Sequence, residues 1–309
     1  MRRSCLLVCA GVLAGLRAMA ADPAASFNLS EPAPGIFVHT GQQVALEAPG
    51  HDDIANIGFI VGSRCVAVID TGGSVRIGRA LRAAVRQHTQ IPICYVINSH
   101  VHFDHVLGNA AFAADHPAFV GSAALAPAIA RNRQFFVSHY GDELDPAAPP
   151  AQQIIAPDRL VARQLRLDLG KRPLILRAWP VAHSDCDLTV FDVRSGTLWT
   201  GDLLVRGRLP AVDGSVPGWL AVIDELARRP VRLAIPGHGE LTGDLAAALI
   251  PERRYLRALA TDVRSELRQG RSLQEALGHV AIAERPNWLL WDDAHPRNVV
   301  RTYEAFEWQ

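Results

Sequence analysis

An excess of charge of one sign is missing from this chain. Lysine plus arginine and aspartate plus glutamate number 31 each, so the formal net charge is zero. A polyanion-binding surface needs a cationic excess or a basic-aromatic stripe; the chain has neither, and nucleic acid is not the expected partner. Cysteine is scarce, five in 309 residues, which excludes a disulfide framework. No repeat at solenoid periods is present, and no membrane span is expected. What remains is a chain 49% hydrophobic, too apolar for disorder and long enough to bury a large core in one big domain or two modest ones.

The first twenty residues read as a secretory signal. Arg2 and Arg3 supply a positive start, Leu6 to Leu16 an apolar centre too short to span a bilayer, and Ala18-Met19-Ala20 a small-x-small cleavage site. The mature chain would begin at Ala21, in the periplasm of a Gram-negative host. Residues 21–31, rich in Ala, Pro and Ser, are expected to be a loose lead-in. Export would leave Cys65, Cys94 and Cys186. One bridge among them is open, but Cys65 and Cys94 lie in apolar strand-like runs and are expected as small buried hydrophobes.

The chemistry concentrates at Tyr95 to His105. An apolar strand, Cys94 to Ile97, ends, and His100, His102, Asp104 and His105 follow within six positions. Ligands at the carboxyl end of a strand sit where open α/β sheets place their sites. His100 and His102 face one side of an extended segment. Asp104 and His105 turn toward a neighbouring point, so two metals could be held side by side.

Before this loop, Gly35–His39 reads as a strand, and residues 57–61 and 65–69 as a hairpin around Gly62-Ser63-Arg64. Asp70-Thr71-Gly72-Gly73 makes the following turn, and Ser74 caps a helix to about Gln87. After the loop come a short helix at Gly108–Phe112, a strand at Pro117–Gly121 and a helix from Ala123 to Arg133 capped by Ser122 and interrupted by Pro127. In residues 134–158, Phe135, Phe136, His139 and Tyr140 are either a lid or substrate wall over the metals or plain packing, and the Pro/Ala piece that follows, Asp145–Pro150, is a loop. Strands fill 160–193, with His183 on a loop. Asp202 is expected just beyond a strand at 197–200, and His238 follows a strand at 231–235. Helices are expected at 219–229 and 251–269, then one opened by a Ser272-x-x-Glu275 capping box, and last one with Pro296 in its first turn.

His100-Val101-His102-Phe103-Asp104-His105 resembles the HxHxDH signature of the metallo-β-lactamase superfamily. The likeness continues at Ala182-His183-Ser184-Asp185, Thr200-Gly201-Asp202 and Pro236-Gly237-His238-Gly239. It implies an α/β fold, an αββα sandwich of two mixed sheets facing each other with helices outside. On that basis residues 32–250 form the domain and 251–309 a C-terminal helical extension packed on it. It also implies a ligand set: His100, His102 and His183 for one metal, Asp104, His105 and His238 for a second, and Asp202 bridging. Two Zn²⁺ suit these ligands, with iron or manganese as substitutes. Asp70 matches the acidic residue that orders the metal loop in such proteins.

The function this implies is a dinuclear zinc hydrolase of a small-molecule ester, thioester, lactone or amide. A metal-bridging hydroxide would attack the carbonyl, with Asp104 as ligand and catalytic orienting group. Glutathione thioesterases have Cys-Gly-Arg after their bridging aspartate, whereas Leu203-Leu204-Val205 follows Asp202 here. The segments around His183, Asp202, Leu209–Ser215 and Gly218-Trp219 are similar to exported quinoprotein relay system or SoxH-like metallohydrolases. That likeness implies a functional link to a periplasmic quinoprotein dehydrogenase system. Alternatives are a β-lactamase, an iron-dependent redox enzyme of the same fold, and a non-catalytic periplasmic accessory protein binding a metal or metabolite. Cys186, three residues after His183, is a packing residue in this scheme, because seven other ligands fill both sites.

Overall fold

A computed structural model describes residues 27–308. The expected signal and most of the lead-in lie outside these residues. Seven strands form one mixed sheet in chain order: β1 Ser30–Ala33, β2 Ile36–His39, β3 Ile57–Val61, β4 Val66–Ile69, β5 Ile93–Ile97, β6 Ala118–Ser122 and β7 Arg159–Val161. Five more form a second: β8 Gln164–Asp168, β9 Pro173–Ala178, β10 Leu188–Asp192, β11 Thr197–Val205 and β12 Leu233–His238. β4 through β7 are parallel neighbours, as are β11 and β12; the remaining pairs are antiparallel.

The sequence builds layers because successive strand residues point to opposite faces. In β4, Ala67 and Ile69 face inward, where Leu174, Leu176, Val190 and Trp199 of the second sheet meet them. Val66 and Val68 face outward onto Ile77, Leu81 and Val85 of α1, Val75–His88. In the second sheet, Trp199 and Ile235 point inward, while Leu198 and Ala234 face the outer helices. Both sheets are therefore covered on both faces, and the αββα sandwich is the observed architecture.

Short α2, Phe103–Val106, carries the metal loop, and a 3-10 segment, Leu107–Asp115, supports it. α3, Leu125–His139, and short α4, Pro150–Gln153, border the Pro/Ala piece expected as a loop. α5, Val216–Leu226, is capped by Ser215, whose hydroxyl accepts from Gly218 N–H. α6 Leu245–Arg268, short α7 Leu273–Ala276 and α8 Trp291–Glu307 complete the outer layer. Tyr255, Leu259, Trp291, Val299, Tyr303 and Phe306 share one core with Trp219 and Ile223 of α5. No helix among the described residues is long and apolar enough to cross a membrane.

Several local expectations change. Cys65 and Cys94 are bonded to each other, not packed as free hydrophobes; they lie at a register shift between parallel β4 and β5, with Cα atoms 5.4 Å apart. Strand β1 begins at Ser30, inside the expected lead-in, because it pairs with β2. Ser122 caps nothing: its hydroxyl donates to the Cys186 carbonyl, and α3 starts at Leu125. Pro127 thus falls in the first turn, where its missing N–H costs no helix bond, and α3 runs on through Phe136. α6 starts at Leu245 under an Asp244 cap, so Pro251, and the expected division at residue 250, lie inside it. α8 starts at Trp291, which places Pro296 past its first turn.

Candidate metal centre

The site lies along the edge where β4, β5, β11 and β12 end. The Asp70 backbone sits at φ +52°, a left-handed conformation that Asp tolerates better than most residues. This turns its carboxylate under the 99–105 loop. There Oδ1 accepts the Ser99 N–H at 2.7 Å and Oδ2 lies 2.8 Å from His105 Nδ1. Asp202 falls within β11, not beyond it, because β11 continues through a register shift against β12 at Gly201. Glycine is required beside it: a Cβ on Gly237 would lie 1.8 Å from Asp202 Oδ1.

All seven predicted ligands come together. His100, His102, His183 and Asp202 form one group that could hold a metal ion, and Asp104, His105 and His238 a second. In the first, His102 Nδ1 is 3.0 Å from both His100 Nε2 and His183 Nε2. In the second, His238 Nε2 and His105 Nε2 lie 3.3 and 3.4 Å from Asp104 Oδ2. Asp202 reaches both: Oδ2 is 3.2 Å from His238 Nε2 and 3.5 Å from His183 Nε2, and Oδ1 is 3.3 Å from His105 Nε2.

Each ring is held from behind by the nitrogen turned away from the cluster. His183 Nδ1 lies 2.9 Å from the Ala211 carbonyl, His238 Nδ1 2.8 Å from the Ile54 carbonyl, and His100 Nδ1 2.9 Å from Ser99 Oγ. His102 Nε2 lies 2.6 Å from Asp213 Oδ2. Such backing fixes tautomer and orientation in metal-binding histidines.

The electrostatics fit a cation. His105 Nε2 and Asp202 Oδ1 are buried with no hydrogen-bond partner. Burial, with the neighbouring His105, His102 and His183, holds the His100 ring well below the usual imidazole range. Burial also takes His183 down to about 3. Both rings therefore stay neutral, as ligands must. Burial would raise Asp202 and Asp104, but the surrounding imidazoles override it and both carboxyls stay ionised. His105 shows the reverse balance: burial is outweighed by Asp104, Asp70 and Asp202. Buried ionised carboxylates beside the neutral His100 and His183 rings, together with orphaned polar atoms, are what divalent ions satisfy.

A family model described as the metallo-beta-lactamase superfamily matches residues 50–238. The chain belongs to the metallo-β-lactamase superfamily. Among solved structures, a metallo-β-lactamase from Pontibacter korlensis superposes with a TM-score of 0.60 at 18% identity, covering 74% of this chain and 98% of that one. The inverting sec-alkylsulfatase Pisa1 from Pseudomonas sp. gives 0.64 at 17% identity, over 90% of this chain and 50% of that one. The DIM-1 metallo-β-lactamase gives 0.59 at 15%, over 74% and 96%. At these identities the superfamily members share the fold alone. Comparison with curated proteins found no match.

A cavity of about 380 Å³ opens onto the cluster. Phe135, Phe136 and Tyr140 of the 134–158 region line it, beside His102, Asp104, Asp202 and His238. Tyr140 stacks on Phe103 with ring centroids 4.1 Å apart. Cys186 is buried beneath the loop and belongs to neither group; burial pushes its thiol up, away from the ligating thiolate. Sequence reasoning missed the contact of Asp213 with His102. It also missed Arg297 and Arg301 of α8, which line the cavity from a helix outside the family match. No local spacing could have signalled a partner so far along the chain.

Proposed function

We propose that this protein is a dinuclear metal-dependent hydrolase acting on a carbonyl of a small molecule: an ester, thioester, lactone or amide. The observation that supports it best is Asp202, whose two oxygens face both ligand groups, with one of them lacking any other partner. His100, His102 and His183 would hold one ion, Asp104, His105 and His238 the other, with Asp202 shared. Two such ions, zinc for preference, would polarise a carbonyl and bring the pKa of water at the site toward ~7.

The chain's own residues do the rest. Asp104 stays ionised, its Oδ2 faces His105 and His238, and its other oxygen would orient an attacking water. Asp213 keeps the His102 ring turned with Nδ1 toward the cluster. The Tyr140 hydroxyl, pushed up by burial to about 12, stays protonated and can donate into the cavity. Phe135 and Phe136 give the cavity an apolar wall that limits water. The N-terminal signal pattern supports placing this activity in the periplasm. The likeness to the quinoprotein relay branch supports a substrate made or used by an exported dehydrogenase.

The test is turnover by zinc-loaded full-length protein across the four bond types, with a chromogenic cephalosporin among the amides. Hydrolysis of at least one class, abolished by chelation and lowered by roughly 10²-fold or more in Asp104→Asn, is expected. Absence of metal-dependent turnover on all four would overturn the reading.

A further inference from the structure

Asn298, inside α8, is fully enclosed, with its amide nitrogen and its amide oxygen both engaged. Nδ2 donates to the Pro210 carbonyl at 2.8 Å and to the Tyr255 hydroxyl oxygen at 2.9 Å, while Oδ1 accepts the Val212 N–H at 2.8 Å. Asparagine in a helix interior does nothing for the helix itself, because its amide competes with the backbone for hydrogen bonds. Here the amide is spent on another segment. Its two backbone bonds straddle Ala211, whose carbonyl lies 2.9 Å from His183 Nδ1. The same helix reaches the next link in the chain: Arg297 pairs with Oδ1 of Asp213, whose Oδ2 backs His102 Nε2.

Residues 210–213 lie between β11 and α5 and belong to no strand or helix. No ladder fixes them, so side-chain and isolated backbone bonds must. On one side, Asp213 N–H donates to the His183 carbonyl at 3.0 Å and Ser215 N–H to the Ala182 carbonyl at 2.8 Å. On the other side stands Asn298. Two ligand rings of one metal group therefore take their support from a segment that α8 holds in place, and α8 lies outside the residues that match the family. A fully satisfied buried network of this kind gives its members a single arrangement.

We propose that Asn298 is a positioning residue for the metal ion of the His100, His102 and His183 group. It holds Pro210 and Val212 so that the Ala211 carbonyl keeps hydrogen on His183 Nδ1 and leaves Nε2 for the ion. The C-terminal helix thereby completes a ligand group that the family domain supplies. The inference rests on the dinuclear reading for the ion itself; the state of the His183 ring is measurable without metal.

The test has two readouts on full-length protein. The first is a long-range nitrogen–proton correlation spectrum of the histidine rings with metal removed. Native protein should show His183 as one tautomer with hydrogen on Nδ1, and Asn298→Ala a mixture of both. The second is zinc affinity, by chelator competition, in two backgrounds. In His238→Ala, adding Asn298→Ala should weaken the ion held by the three remaining histidines about tenfold, the lower end for losing a contact that orients a ligand. In His183→Ala, the ion left to Asp104, His105 and His238 should be unaffected. Asn298→Asp keeps the shape and an acceptor for Val212 but sets an oxygen against the Pro210 carbonyl; it should give the same changes and serves if the alanine variant does not fold. Tyr303→Phe removes a different anchor of α8, the hydroxyl that donates to the Arg271 carbonyl, and should move neither readout. An unchanged tautomer and unchanged affinity in both Asn298 variants would overturn the inference. So would equal weakening in the two backgrounds, or an equal effect of Tyr303→Phe, since either would mean that α8 acts only through general stability. A native chain that binds no zinc but whose His183 tautomer depends on Asn298 retains the contact and counts against the hydrolase reading.

Discussion

Asp213 grips the far nitrogen of His102. Its Oδ2 lies 2.6 Å from Nε2, while Nδ1 of the same ring faces His100 and His183 at 3.0 Å. Burial would lower this imidazole, but the Asp213 hydrogen bond and charge carry it up. The carboxylate therefore fixes the tautomer with hydrogen on Nε2 and makes Nδ1 the better donor to a metal. Asp213→Asn should weaken affinity for the ion nearest His102 by roughly 10–100-fold, the usual cost of losing such a partner. Competition with a zinc chelator measures it; unchanged affinity would show that the contact is incidental.

Asp70 does the corresponding work from beneath. It holds His105, the Ser99 N–H and the Ser99 hydroxyl in a fully enclosed position. Asp70→Ala leaves a buried N–H without a partner and should cost about 1–3 kcal/mol, before any loss of metal binding. Chemical denaturation of the metal-loaded variant against the native protein checks this. A cost below half the lower figure would place the loop's order elsewhere.

The Cys65–Cys94 bond closes a loop of sequence separation 29 around α1. Removing it as the double Ala variant should lower stability by about 2–4 kcal/mol, through the freedom returned to the unfolded chain. Activity at a temperature well below melting should change little, since the bond lies at the start of β5 and the site at its end. Reduction with no shift in melting would contradict this.

His295 supplies an acid limit. Burial takes its ring down to about 4, with Tyr255 Oη 3.2 Å from Nδ1. Asn298 donates to that hydroxyl oxygen, which leaves the phenol proton for a neutral His295 to accept. An unfolded histidine titrates near ~6.5. Between the two values the unfolded chain binds the extra proton, so this contribution is full above pH ~6.5 and is lost as pH falls toward 4. Native protein should lose about 2–3 kcal/mol more across that interval than His295→Gln. Parallel stability curves for the two would refute the assignment.

Much of this is legible in the amino-acid sequence alone. His100 to His105 announces the site because ligand-bearing residues crowd a strand end, and the apolar runs at 57–61 and 65–69 announce paired strands. Three kinds of information are not legible there. Register is set between strands, so the adjacency of Cys65 and Cys94 leaves no trace in either local run. Proline suggests an interruption at 127 and a helix start at 251 and 296, yet α3 runs on because Pro127 falls in its first turn, and α6 and α8 contain theirs because the buried faces of these two helices outweigh one missing N–H. Long-range polar partners such as Asp213 for His102 depend on tertiary placement that no spacing encodes.

The most direct measurement is the metal content of full-length protein, native and Asp202→Ala, after equilibration with zinc and removal of the excess. Two ions per native chain are expected, with the variant holding no more than one at comparable affinity. A native chain that saturates at one ion or none, or a variant that keeps two at unchanged affinity, would contradict a shared centre at Asp202.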